Sequence, residues 1–178
     1  MRKLVGLLAI ACLAVGLMAS TASATHSNGE GPDKDFNTGS VKGPLATPFG
    51  TFPSQSHIDA QTGPQGQGGT TGHWWTTVFG PAVLGGTVTF GGDVLCLNAA
   101  NHSAVWRGIV TFSETPIVPP GYGIIARNVD NGEGANDPPD AGGGALTGFN
   151  PPSVCPPGST PIPVLPVEQG NYVVHDGI

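Results

Sequence analysis

Three features of the sequence predict an all-β fold, a compact antiparallel barrel or sandwich of about seven to eight short strands with long Gly/Pro-rich loops. Stretches rich in β-branched and aromatic residues recur at 72–79, 86–98, 104–112 and 121–129, each bounded by turn-forming residues. Beyond the N-terminal apolar run, no segment carries a capped amphipathic helix of about three turns. Glycine and proline are abundant but clustered, with eight glycines and nine prolines between Asn131 and Gly170, the pattern of loops on a folded core rather than of a disordered chain.

The chain opens with Arg2 and Lys3, an apolar run from Leu4 to Met18 and the small-residue ending Ala22-Ser23-Ala24. This order reads as a secretory signal peptide over 1–24, and its apolar run is shorter than an ordinary membrane span. The 154 residues that follow suit one domain with a sizeable core. Residues 25–38, with Asn28-Gly29-Glu30-Gly31-Pro32, read as a flexible leader, and 39–178 as a single β domain with a Pro/Gly-rich segment at about 131–170. Past residue 24 only Lys34, Lys42, Arg107 and Arg127 oppose twelve Asp and Glu, a net charge of −8 with histidines neutral. Four scattered cations do not make a phosphate-binding patch, so a nucleic-acid partner is excluded. The same sign disfavours an anionic membrane surface.

Each strand has its own warrant. In "GTVTFGGDVLCLN" Val88 and Phe90 alternate up to Gly91-Gly92, where a bulge is expected to re-aim the strand before Val94, Leu95, Cys96 and Leu97. In "AVWRGIVTF" one face carries Ala104, Trp106, Val110 and Phe112, the other Val105, Arg107, Ile109 and Thr111. "GYGIIARNV" sets Tyr122, Ile124 and Ala126 against Ile125, Arg127 and Val129. The link Leu97 to Ser103 reads as a hairpin, which makes the Asn101-His102-Ser103 glycosylation triplet a turn.

Past the leader only Cys96 and Cys155 remain, and in an exported protein they are expected to pair. Neither sits in a C-x-x-C pair, which argues against zinc. "NVDNGEGANDPPDAGGG" gathers Asp130, Glu133, Asp137 and Asp140, hard oxygen ligands suited to calcium. Their spacing is not that of an EF-hand, because glycines stand at the third and fifth positions; the alternative is a hydrated acidic turn at Asn131-Gly132. No catalytic residue is assigned. His57 with Asp59, two apart on one strand face, and His175 beside Asp176 are the only local acid–base pairs, and no known catalytic motif is present. Trp74 and Trp75 must face opposite ways in a strand. If one fills the core, the other, with His73, offers a surface for a sugar ring or a partner unless a loop covers it.

The segments "SHIDAQTGPQGQGGTTGHWWTTV", "GGDVLCLNAANHSAVWRGIV", "DNGEGANDPPD" and "GNYVVHDG", in this order over roughly residues 40 to 178, resemble a broad set of small exported β-barrel-like bacterial proteins of actinobacterial type. The resemblance implies a compact barrel-like domain whose terminal "GNYVVHDG" strand returns to pair near the start. It brings no catalytic or ligand residue with it. This chain departs from the pattern after Pro139-Asp140, where Ala141-Gly142-Gly143-Gly144-Ala145-Leu146 replaces an apolar strand and a short or frayed one is expected. The expected function is that of a secreted binding or structural protein with an extracellular or cell-wall partner and no cofactor. A calcium- or carbohydrate-binding module is the alternative, and a hydrolase comes third.

Overall fold

The computed structural model describes residues 34–47, 50–63, 69–80, 85–134 and 136–177; the signal peptide expected at 1–24 and the leader up to residue 33 lie outside them. The described fold is all-β. Its strands are β1 (Asp35–Thr47), β2 (Gly50–Thr62), β3 (Thr71–Val78), β4 (Val88–Ala100), β5 (Ser103–Ser113), β6 (Tyr122–Val129), β7 (Ala141–Phe149), β8 (Leu165–Pro166) and β9 (Gln169–His175). They form one curled antiparallel sheet in the order β8-β7-β6-β5-β4-β3-β2-β1-β9. Its two edges belong to one continuous segment, because β8 pairs with β7 and β9 with β1 across only Val167 and Glu168. At that crossing the Val167 N–H donates to the Asp140 carbonyl (2.7 Å) and the Glu168 N–H to the Lys42 carbonyl (2.9 Å). The C-terminal strand thus returns to the first one.

Local rules explain the hairpins. β4 and β5 meet through Asn101 and His102, both with positive φ (51° and 58°), the conformation that lets a two-residue turn follow the twist of the strands. The register slips at Gly91/Gly92, where the bulge was expected, and one consequence differs from simple alternation. Thr111 becomes the extra residue, so Gly92 pairs with Val110 and Gly91 with Phe112. Val110 stays in the core, whereas Phe112 leaves the face of Ala104 and Trp106 and is 46% exposed.

Two further expectations are corrected. The flexible leader does not reach residue 38: Asp35–Thr38 begin β1, paired with both β2 and β9, and Asp35 and Asn37 are fully buried. The glycine run does not fray either, since β7 extends over nine residues against β6. A strand needs backbone partners before it needs side chains, and here bulk is excluded. A Cβ on Gly142 would lie 2.7 Å from the Tyr172 hydroxyl, and one on Gly143 would run into the Pro163 carbonyl on the opposite face.

The core lies inside the curl, where Val41, Ile58, Trp74, Val78, Phe90, Leu97, Trp106, Val110 and Tyr172 form one buried cluster. Outside, the proline-rich segment after β7 lies over part of the sheet. Pro151 packs where a Gly123 side chain would stand, Gly158 lies against the backbone of Asn98 and Ala100, and the Gly158 carbonyl accepts from the Ser103 hydroxyl. Cys96 and Cys155 form the disulfide that pins this segment to β4. Val105, although it faces outward, is fully buried. Because the bond spans 59 residues, loop-closure entropy assigns it about 4 kcal/mol. Urea unfolding of the oxidised protein and of the Cys96→Ser/Cys155→Ser variant should show a loss of about that size.

Candidate functional site

The curled sheet is not filled along its whole length. Where β1, β3 and β5 begin and β2, β4 and β6 end, Ala60, Leu97, Ala99, Ala104 and Val174 occupy the interior. Toward the other end a cavity of about 420 Å³ remains. Large residues, Trp74, Trp106, Phe90 and Val78, alternate in its wall with small ones, Ser54, Ser56, Thr76, Ala126, Gly142 and Gly144. Native interiors are packed to crystal density, so a void of this size is a property of the fold: a curl of nine strands, β8 and β9 belonging to one segment, leaves room for side chains or for one small ligand.

Among the described residues the lining contains His57 but no Asp, Glu, Lys or Arg, and its hydroxyls are largely paired with protein. Ser56 and Thr76 share a hydrogen bond of 3.0 Å, and the Ser54 hydroxyl donates to the Gly43 carbonyl at 3.0 Å. Polarity is concentrated at the base. There the Asn128 side-chain oxygen accepts from the Asn37 amide (2.8 Å) and from the Trp106 indole (2.6 Å), and Asn128 also bonds the Tyr172 phenol. Burial, with the Asp140 carboxylate nearby, pushes that phenol above its usual pKa, so Tyr172 meets the cavity as a neutral hydroxyl. The indole Trp74 Nε1 and the side-chain oxygen of Asn37 are buried without a hydrogen-bond partner among the described residues.

The acidic loop stands at the closed end, and its carboxylates are engaged with N–H donors. Asp140 accepts from Asn131 N–H (2.9 Å) and Tyr172 N–H (2.6 Å). Asp130 accepts from Gly132 N–H (2.9 Å) and Val174 N–H (3.2 Å). Asp137 holds Gly134 N–H, and Glu133 holds the Asn171 amide. Among the described residues no group of three or more His, Cys, Asp or Glu is gathered closely enough to hold a metal ion. What Asp130 and Asp140 do in the fold is satisfy backbone donors on the side of β9 that faces away from β1.

The tryptophans divide as strand geometry requires. Trp74 is 2% exposed and packs against Trp106 and Phe90 at centroid distances of 5.7 and 5.9 Å. Trp75 is half-buried on the outer face, stacked on His57 at 5.6 Å. Asp59 and His73 are exposed cross-strand neighbours, and His175 stacks on Phe36. Of these residues His57 borders the cavity, whereas Asp59, His73, His175 and Asp176 do not line it. The missed feature was Asn128 with Tyr172, whose sequence signal was a lone asparagine on the face of β6 that also carries Tyr122, Ile124 and Ala126.

No family model, curated protein or solved structure matches this chain.

Asp140 gives this subsection its test. Burial raises its pKa above the usual 3.8, against the lowering effect of its two backbone hydrogen bonds, and Asp130 and Glu133 add to the rise. The folded protein therefore holds that proton to higher pH than the unfolded chain does, and Asp140 costs stability as pH rises from 3.8 through its folded pKa. In Asp140→Asn this contribution disappears, so its stability should fall less steeply, or rise more, than the wild type's across that window, measured by urea unfolding at successive pH values. Asp140→Ala, which leaves the buried Tyr172 N–H without an acceptor, should cost about 3 kcal/mol.

Proposed function

We propose that the protein is an exported binding protein that carries one small, uncharged and largely apolar molecule inside its curled sheet. The observation that carries this reading is the cavity of about 420 Å³, whose described lining is mainly apolar and holds no Asp, Glu, Lys or Arg, a volume within the range of sites for small organic ligands. A charged guest would lose its hydration without gaining a counter-ion, whereas an apolar one gains contacts with Trp74, Trp106 and Ile124. The Tyr172 phenol and Asn128 at the base suit a ligand with a single polar group, such as a carbonyl or hydroxyl, at its inner end.

Export is supported by the signal-like N-terminus. The Cys96–Cys155 disulfide, and the absence among the described residues of any helix long and apolar enough to cross a membrane, are compatible with it. The reading needs no metal and no catalytic group.

The neutral fluorescent probe N-phenylnaphthylamine tests it. Titrated into the oxidised protein, the probe should give a saturable one-site rise in emission with quenching of tryptophan fluorescence. Ala126→Phe, which places a ring in the cavity, should weaken binding by at least about tenfold, equivalent to about 1.4 kcal/mol, while retaining a cooperative unfolding transition. Leu146→Trp at the opening should slow probe uptake more than it changes affinity. An absence of saturable binding by the folded wild type would rule the reading out.

A further inference from the structure

The base of the cavity has a hydrogen-bonding sense, and Asn128 fixes it. An indole N–H can only donate, so the 2.6 Å contact from Trp106 Nε1 identifies the Asn128 atom that it meets as the side-chain oxygen. The same oxygen takes the Asn37 amide at 2.8 Å, which occupies both of its lone pairs. Asn128 is left with its amide N–H groups, and this is the side that bonds the Tyr172 phenol. The phenolic oxygen therefore accepts, and its own O–H remains to be donated.

No acceptor among the described residues takes that proton. Tyr172 is only 4% exposed, and its hydroxyl stands 2.7 Å from where a Gly142 Cβ would be, in the stretch of wall that both residues line. The space left bare at Gly142 is thus the place a guest atom can occupy. Neighbouring polar groups supply no free acceptor there. The Asn37 side-chain oxygen has no partner among the described residues, but Asn37 is not part of the lining. Ser54, Ser56 and Thr76 lie toward the opening, where Ser54 is bonded to Gly43 and the other two to each other. The second unpartnered donor, Trp74 Nε1, lies against Gly108, which does not line the cavity.

We propose that the cavity selects a neutral carbonyl compound, a ketone or an ester on an apolar body, whose oxygen accepts the Tyr172 O–H, over the corresponding alcohol or amine. This rests on the interior-ligand reading and narrows it to one chemical class. An alcohol oxygen can accept the same hydrogen bond, but its own proton is then buried at the base with no acceptor, and a buried unpaired donor costs affinity. A ketone carries no such proton.

Cyclododecanone and cyclododecanol share one ring and differ only in this group, so they form the test pair. Each is titrated against N-phenylnaphthylamine bound to the oxidised protein, and the carbonyl stretch of the bound ketone is recorded by infrared difference spectroscopy. The ketone should displace the probe at a concentration at least about fivefold below that of the alcohol, and its stretch should lie at lower frequency than in hexane. In Tyr172→Phe, checked for a cooperative unfolding transition, the preference should fall to within about twofold and the stretch should return to its hexane position. The wild-type stretch reports the hydrogen bond whether or not the variant folds. Failure of either compound to displace a bound probe, equal or tighter binding of the alcohol, an unshifted stretch, or a preference that survives in folded Tyr172→Phe overturns the carbonyl assignment and leaves the carrier reading standing. If the probe itself does not bind, both fall together.

Discussion

A seam that cannot be closed by strand pairing alone governs this molecule. β9 has β1 on one side, and its other edge presents the backbone N–H groups of Tyr172 and Val174 to the interior of the fold. An unpaired buried N–H costs about as much as a lost hydrogen bond with its desolvation. Asp140 and Asp130 fill that place with carboxylate oxygens, and Asp35 does the same for Ala99 and Gly177 at the closed end. Buried carboxylates are tolerated here because each accepts more than one backbone donor. The acidic loop thus acts as a latch, and its charge follows from what it must accept.

The latch also sets the cavity. Holding the Tyr172 backbone against Asp140 fixes where the phenol projects, and the phenol reaches the space beside Gly142 and Asn128. The glycine run of β7 is the complementary half of the arrangement. Side chains at Gly142 would meet Tyr172 on the inside and at Gly143 would meet Pro163 on the outside, so the strand is bare because it is approached from both faces. Glycine costs backbone entropy in a strand, and β7 withstands that cost through its ladder with β6 and the short bridge to β8. Empty interior volume is the by-product of a strand in which Gly142, Gly143 and Gly144 supply no side chains.

What could be read from the sequence follows from how each feature is encoded. The hairpin at Asn101-His102, the bulge at Gly91-Gly92, the Cys96–Cys155 pair and the opposition of Trp74 and Trp75 are all written in residues a few positions apart or in cysteine count. β1 and β2 were not legible as strands, because Gly39, Gly43, Pro44 and Pro53 interrupt their alternation; their pairing with three neighbouring strands overrides local preference. Asp130 and Asp140 were visible as charges, but their backbone partners lie 44 and 32 residues away, so the sequence offered only a hydrated acidic turn or a calcium loop and not the acceptor role. A cavity is harder still, since it is made of missing side chains distributed over several strands.

The two ends also differ in what holds them. Directional cross-links concentrate at the closed end: the carboxylate bonds of Asp35, Asp130 and Asp140, the Asn37–Asn128–Trp106 network, and the anchoring of Gly158 to Asn98 and Ser103. At the open end the contacts are mainly apolar, with Val118, Tyr122 and Phe149 packed over the cavity. Hydrogen bonds lose their strength within a fraction of an ångström of misalignment, whereas apolar contacts re-form over a range of separations. Opening the rim therefore disturbs few buried polar groups, while opening the other end would expose several at once. The same asymmetry that ties one end together with directional bonds leaves the other the easier one to open.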